Sequence, residues 1–240
     1  MAKPKKDAER RAVVEQMRKQ QEASERRRTA LVVGAVGLAG VGIIAAAAVP
    51  LLQQENESSK DLSSIGVAAS AAGCQPEVTK PASGNNNHVP AGTVVPYTDA
   101  PPAFGPHYDA PQPMTRKFYT VDDRPSVETL VHNSEHGFTL VWYDASLDAD
   151  EAAMRELRAV ADKFPATSGL DDKLLVVPWS TDDGDAFPDG AKIAFTHWTG
   201  GSEDEQKGVW RYCDQLSGEA LGEFIDTYPF TDAPEGNVPG

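Results

Sequence analysis

The chain has only two cysteines among its 240 residues, so it allows a single disulfide. It also lacks a nucleophile elbow, a phosphate-binding loop and a dinucleotide fingerprint, so no motif of those three enzyme classes is present. Its first 74 residues contain no aromatic side chain, because all four Trp, six Tyr and eight Phe follow. We therefore expect the folded part within residues 75–240, a length that buries roughly 70% of the unfolded chain's surface.

Positive charge is scarce after residue 52. Residues 53–240 hold 12 Lys and Arg against 31 Asp and Glu, a net charge of −19. Nucleic acid and anionic lipid would be repelled by this balance, so neither is expected as a partner of this part. Residues 1–29 have the opposite balance, with ten Lys and Arg and five Asp and Glu. Acid–base pairs four residues apart, such as Glu15 with Lys19, predict a helix in this basic segment.

The segment 30–52 has no charged residue at all. As a helix its 23 residues would extend roughly 34 Å, enough for a hydrocarbon core about 30 Å thick. Three arginines, 26–28, precede it directly, and the positive-inside rule then places the N-terminus in the cytoplasm and exports the residues after 52. A cleaved signal peptide is the alternative, since residues 45–48 are all alanine, but the run exceeds the usual signal core of about 7–15 residues.

Both cysteines, Cys74 and Cys213, lie in the part that we expect to be exported, where disulfides persist. We therefore predict that they are bonded to each other. The alternative is lipidation, because residues 71–74 read Ala-Ala-Gly-Cys and resemble a lipoprotein cleavage box. However, residues 53–64 before that box are polar rather than apolar, and lipidation would leave Cys213 without a partner.

Composition and patterning divide the chain into five segments. We predict a basic cytoplasmic helix at 1–29, a transmembrane helix at 30–52, a flexible extracytoplasmic tether at 53–90, a globular domain at 91–230 and a C-terminal tail at 231–240. Strands and helices mix within the globular domain, which predicts an α+β fold or a small α/β sandwich. The predicted strands are 93–95, 117–121, 138–143, 174–178 and 191–195, and the predicted helices are 126–136, 148–164 and 217–228.

Candidate site chemistry concentrates between His132 and His136. Two histidines four residues apart lie on one face of a helix, a spacing that suits Zn²⁺ or Cu²⁺. Glu135 is expected close by, where it would orient a ring from the second shell. His107 follows Gly105-Pro106, which would hold it rigidly as a third ligand. The opposing interpretation is structural, because histidines beside a glycine turn often bond to the backbone.

The same string also fits His-x-x-Glu-His, the inverted zinc-peptidase pattern. The pattern is short, Gly137 ends the predicted helix at once, and no later helix offers an obvious third carboxylate ligand. The two other histidines attract less interest. His88 lies in an Asn-rich loop and is interpreted as solvated, and His197 stands beside Trp198 and is interpreted as a packing residue.

Two strings together resemble a known family. The first is the Pro-rich run that ends in Gly105-Pro106-His107, and the second runs from Val131 through His132-Asn133-Ser134-Glu135-His136 to Gly137 and leads into an apolar strand. They resemble an actinobacterial family of single-pass membrane proteins built on an uncharacterised extracytoplasmic domain, domain of unknown function 3105. The resemblance covers about residues 90–230. It implies the same architecture and location and points to His107, His132, Glu135 and His136, but it supplies no reaction.

The sequence thus favours a membrane-anchored cell-envelope protein over an enzyme. Its exported domain is interpreted as a binding or accessory module with a His-based metal site, and an envelope protein is the expected kind of partner. A metal-dependent hydrolase is the second interpretation, and a structural subunit of a membrane complex is the third. A third and fourth ligand around one point would favour the metal site, whereas histidines bonded only to backbone groups would favour the structural interpretation.

The predicted topology is testable with reporter fusions. A reporter that is active only outside the cytoplasmic membrane should work when it is fused after Gly240, because the basic flank holds the N-terminus inside. The same reporter fused at Met1 is the control and should be inactive. Activity at Met1 and silence after Gly240 would reverse the topology.

Overall fold

The computed structural model describes residues 3–82, 85–165 and 172–238. Parts of the five predicted segments, residues 1–2, 83–84, 166–171 and 239–240, lie outside the described residues. The chain divides into two compact units, Met1–Gln53 and Gln54–Gly240. A single helix, α1 (Lys3–Ser59), makes up the described part of the first unit and continues into the second.

Helix α1 is the one helix among the described residues that is long and apolar enough to cross a membrane. Its most apolar 18-residue window has a mean hydropathy of 2.4, and no residue of that window is buried. Large apolar side chains such as Leu38 and Ile43 are more than two-thirds exposed. A helix that is apolar on all sides and unburied is typical of a membrane span rather than of a soluble surface helix.

A five-stranded sheet forms the centre of the second unit, in the order β1-β7-β6-β4-β5. Strands β4 and β5 are parallel, and the other three neighbouring pairs are antiparallel. Strands β2 and β3 form a separate parallel pair. The strands are β1 (Val78–Pro81), β2 (His88–Val89), β3 (His107–Tyr108), β4 (Thr139–Asp144), β5 (Leu174–Trp179), β6 (Ile193–Thr199) and β7 (Lys207–Cys213).

Helices cover both faces of the sheet. Alternate residues of each strand point to opposite faces, so each strand contributes side chains to both layers. Leu140 and Trp142 of β4 pack with residues of α2 (Val127–Glu135) and with the segment 97–119. Val141 and Tyr143 pack on the other face with α3 (Glu151–Asp162) and α4 (Gly218–Thr227). The predicted α+β class is confirmed.

The three helices predicted in the globular domain are present as α2, α3 and α4, and β4, β5 and β6 overlap the predicted strands. Two strand predictions are wrong. Residues 93–95 are irregular, and in 117–121 only Phe118 forms an isolated bridge, to Val176. Proline is frequent between residues 90 and 113, and each proline removes a donor that a strand at 93–95 would need for its hydrogen bonds. In 117–121 the backbone hydrogen bonds to the sheet are the pair that Lys117 and Tyr119 make with Val176.

The predicted tether does not stay free of the domain. Within its described part, Ile65 and Ala72 are fully buried, and β1 adds an edge strand beside β7. The predicted tail is also packed, since Asp232 accepts a hydrogen bond from Thr199 Oγ1 at 2.7 Å. Neither segment has a periodic apolar pattern, so local sequence does not reveal that side chains such as Ile65 and Ala72 dock against the domain.

Cys74 and Cys213 form a disulfide, with their Cα atoms 3.9 Å apart. This is the pairing that the sequence predicts. The bond joins the segment before β1 to the last residue of β7, which is an inner strand of the sheet. The entry segment is therefore covalently fixed to the core, close to the start of α4.

Replacing both cysteines, Cys74→Ser with Cys213→Ser, should lower the free energy of unfolding by about 2–5 kcal/mol, because the unfolded chain regains the freedom of a long loop. Urea unfolding of the full chain in detergent, followed by circular dichroism, measures this change. The unaltered protein, denatured without reductant, should show no free thiol. A count of two thiols would contradict the bond.

Candidate metal site

The last turn of α2 carries His132 and Glu135, and the candidate His136 follows directly as the C-cap residue. The helix begins at the N-cap Ser126, whose hydroxyl accepts a hydrogen bond from the backbone N–H of Thr129. It ends at Gly137, whose φ of 87° favours glycine. A Cβ on Gly137 would lie 2.5 Å from the carbonyl oxygen of Phe230, so this position has no room for a side chain.

The strand pair β2/β3 brings two more histidines to this turn. His88 and His107 are partners in its register, and the backbone N–H of His107 donates to the carbonyl of Asn87. The ring centroids of His88 and His107 are 4.8 Å apart, those of His88 and His132 are 5.0 Å apart, and those of His107 and His132 are 4.8 Å apart. Three imidazoles therefore surround one point beside Glu135.

Potential ligand atoms of His88, His107, His132 and Glu135 all lie within 4.8 Å of one another. His107, His132 and Glu135 are buried, and His88 is exposed. His107 Nδ1 lies 2.8 Å from the carbonyl oxygen of Gly105, and His132 Nδ1 lies 2.5 Å from that of Tyr108. A carbonyl can only accept, so both Nδ1 atoms carry the hydrogen and each neutral ring keeps its lone pair on Nε2.

The two innermost atoms of the cluster face each other without a hydrogen bond. His107 Nε2 and Glu135 Oε2 are 2.9 Å apart, and both are buried atoms without another hydrogen-bond partner. Two lone pairs held this close repel each other unless a proton or a metal cation is shared between them. Asn86 Nδ2 holds the other carboxylate oxygen, Oε1, at 2.7 Å.

The protonation states also suit a metal. Burial lowers the pKa of His132 to about 4, and the neighbouring His107 and His136 add to that effect. Burial alone would raise the pKa of Glu135, but its contacts with His107 and Asn86 outweigh burial and bring the pKa down to about 2. At neutral pH the ring of His132 is neutral and Glu135 is ionised, which are the forms that bind metals.

His136 lies at the edge of this cluster, in a different environment from the other three rings. Its Nε2 is 3.0 Å from His132 Nε2 and 3.3 Å from Glu235 Oε2. The four-residue group differs from the predicted set of His107, His132 and His136, because it contains His88 and takes a carboxylate oxygen directly from Glu135. The folding of residues 85–89 over α2 brings His88 into the group, and the Asn-rich loop offers no periodicity that would have signalled it.

His197 lies apart from the four-residue group. Its side chain is fully buried, and its Nε2 is 2.9 Å from Asp232 Oδ1. The ring stacks on Tyr228 at a centroid distance of 6.4 Å. It lies on the face of the sheet opposite to Trp198, which packs in the layer below α2. His197 therefore stabilises the fold and the C-terminal segment.

A family model described as a protein of unknown function, DUF3105, matches residues 88–239. The chain belongs to this family. All five histidines, together with Glu135 and Glu235, fall within the DUF3105 region, whereas α1 and Cys74 precede it. No curated protein and no solved structure matches the chain. The family match therefore confirms the uncharacterised domain that the two sequence strings indicate, and it assigns no activity.

Acid should destabilise the metal-free protein in two stages. Because the pKa of His132 is about 4 in the fold against 6.5 in the unfolded chain, the unfolded chain binds more protons between those values, and stability should fall as pH drops through them. The pKa of Glu135, about 2 against 4.5, adds a second fall between pH 4.5 and about 2.

Urea midpoints measured against pH with a chelator present would show both stages. His132→Gln should remove most of the slope between pH 6.5 and 4 and keep the slope below it, whatever its effect on absolute stability. An unchanged slope in the upper window would contradict the assignment of that slope to His132.

Proposed function

We propose that this protein is a membrane-anchored cell-envelope protein whose exported DUF3105 domain binds one divalent transition metal ion. The ligands are His88, His107, His132 and Glu135. The observation that carries the proposal is the buried pair of His107 Nε2 and Glu135 Oε2, which face each other at 2.9 Å without hydrogen-bond partners. Buried lone pairs without partners are costly, and a shared cation removes that cost.

Three imidazoles and one carboxylate suit Zn²⁺ or Cu²⁺. Ligand atoms around a tetrahedral zinc lie about 3.4 Å apart, given bonds of about 2.1 Å. The ligand atoms lie within 4.8 Å of one another, with His107 Nε2 and Glu135 Oε2 at 2.9 Å and His88 Nε2 and Glu135 Oε2 at 3.6 Å, so metal binding requires small adjustments of these distances. His88 has the most room to adjust, because its side chain is 45% exposed, whereas the other three ligands are buried.

The groups that would hold the ligand side chains in position are already in place. The carbonyl groups of Gly105 and Tyr108 fix the rings of His107 and His132 through their Nδ1 atoms, and Asn86 fixes the carboxylate of Glu135. Contacts of this kind orient ligand rings and raise their basicity. Backbone bonding of Nδ1 turns the Nε2 atoms of both rings toward the cluster, where that of His132 also contacts His136 Nε2 at 3.0 Å.

The proposed location is supported by two independent features. Helix α1 has the length and composition of a membrane span, with its basic residues on the N-terminal side. The disulfide between Cys74 and Cys213 fits an oxidising compartment outside the cytoplasm. The net charge of −19 after residue 52 would also raise the local concentration of cations at the exported domain.

Binding is favoured over metal-dependent hydrolysis by the position of Glu135. A hydrolase needs a carboxylate that is free to take a proton from metal-bound water. Here one oxygen of Glu135 faces His107 and the other accepts from Asn86, so both are committed to the cluster. We therefore assign Glu135 as a ligand rather than as a general base.

The test is metal analysis of the full-length protein in detergent. After loading with Zn²⁺ or Cu²⁺ and gel filtration, the protein should retain one equivalent. Three variants remove a proposed ligand: His107→Gln, His132→Gln and Glu135→Gln. Each should weaken the affinity for the metal by more than about 100-fold, because loss of a residue that only orients a ligand typically costs about 10–100-fold. His197→Gln is the matched control, since it changes a buried histidine outside the cluster and should keep the full equivalent.

Two further variants decide the fourth ligand. His88→Gln should weaken binding, and His136→Gln should leave the stoichiometry unchanged. The reverse result would restore the set of His107, His132 and His136. Binding that is absent from the unaltered protein, or that is equal in all variants, would overturn the proposal.

A further inference from the structure

A cleft of about 360 Å³ lies next to the loop that carries His88, and it is lined by Asn86, Asn87, Glu203 and Gln206. Its volume is within the range of about 300–1,000 Å³ that small-molecule sites have. Each described lining residue is polar, and the one charge among them is the carboxylate of Glu203. The cleft is thus suited to a ligand that forms hydrogen bonds rather than to an apolar one.

Gln206 carries an unused acceptor at this cleft. Its side chain is only 6% exposed, and its Oε1 is buried without a hydrogen-bond partner. The residue is held firmly, since its backbone carbonyl accepts from the N–H of Ala82 and its Cα packs against Gly200. A buried amide oxygen without a partner costs desolvation that nothing offsets, so the position calls for a donor from a bound molecule.

We propose that this cleft binds a small polyhydroxylated ligand without an anionic group, of the size of a mono- or disaccharide. Side-chain amides donate and accept hydrogen bonds, as hydroxyl groups do, and three of the four lining residues are amides. Glu203 accepts hydrogen bonds, attracts a cationic substituent and repels an anionic one. An amino sugar therefore fits better than a neutral sugar, and a sugar acid fits worst.

The cleft and the proposed metal site share the loop 86–88. Asn86 donates to Glu135, the carbonyl of Asn87 accepts from the N–H of His107, and the ring of His88 stacks on that of His132. A ligand held by Asn86 and Asn87 would therefore position the loop that supplies His88 to the metal. This coupling rests on the proposed metal site, whereas the sugar site itself does not.

The experiment uses the full-length protein in detergent with a chelator present, and three probes that share one ring: glucosamine, glucose and glucuronate. Saturation-transfer NMR or calorimetry should give glucosamine the highest affinity and glucuronate the lowest. Gln206→Leu, which removes the buried acceptor, should weaken glucosamine binding by about tenfold or more. Its circular dichroism spectrum and urea midpoint check that it is folded.

Glu203→Gln gives a second and independent measurement, because Glu203 is exposed and its replacement does not disturb the core. In this variant glucosamine should bind more weakly and glucuronate more tightly, so that the affinities of the three probes become similar. Glu205→Gln is the matched control, since Glu205 accepts from Ser202 Oγ and is not among the residues that line the cleft. It should keep the original order.

Failure of all three sugars to bind, or an unchanged order in Glu203→Gln, would overturn the sugar site. Because these measurements are made without metal, either result leaves the metal proposal untouched. The metal-binding measurements on the ligand variants test the metal site and not the sugar site.

The coupling requires that both sites exist. If they are coupled, saturating glucosamine changes the affinity for Zn²⁺, and Zn²⁺ changes the affinity for glucosamine by the same factor.

Discussion

The buried carboxylate of Glu135 is the constraint on which the arrangement around α2 depends. Its side chain is only 2% exposed, and an ionised carboxylate out of water must be compensated by donors or cations. Asn86 supplies a donor to one oxygen, and His107 approaches the other. The loop before β2 and the segment before β3 therefore converge on one turn of one helix, and they bring the rings of His88 and His107 to that of His132.

A second buried charge holds the other side of the same helix end. Lys173 Nζ donates to the carbonyl groups of His136, Gly236 and Val238 at 2.6–2.7 Å, which ties the C-terminal segment to the end of α2. Burial lowers the pKa of Lys173 to about 8. This tie also places Glu235, whose backbone N–H donates to the carbonyl of Glu135 and whose carboxylate lies 3.3 Å from His136 Nε2. The C-terminal segment is thus part of the domain's architecture.

The sheet explains why these long-range contacts are possible in a small domain. Strands β4 and β6 are central and have fully buried middle residues, so they are a rigid base for α2 on one face and for α3 and α4 on the other. The disulfide from β7 fixes the entry segment to this base. The proposed metal site would lose little entropy on such a base when it is filled, because all of its proposed ligands except His88 are buried in advance.

Local sequence was enough for the features whose causes are local. The uncharged run at 30–52, the cap at Ser126, the stop at Gly137 and the continuous apolar strand after it all follow from neighbours along the chain. His132 and His136 share a helix face because a helix repeats every 3.6 residues, and this too needs no tertiary information.

The tertiary structure decided what depends on segments far apart in sequence. It packed residues 61–82 against the sheet, although apolar side chains without periodicity, such as Ile65 and Ala72, give no local signal. It brought His88 over α2, although strands of two residues have no pattern from which their register can be read. It also turned Glu135 from a neighbour of the histidines into a member of their cluster. Which residues share a helix face near residue 135 follows from the local sequence, whereas membership of the His/Glu cluster depends on which segments fold over that helix.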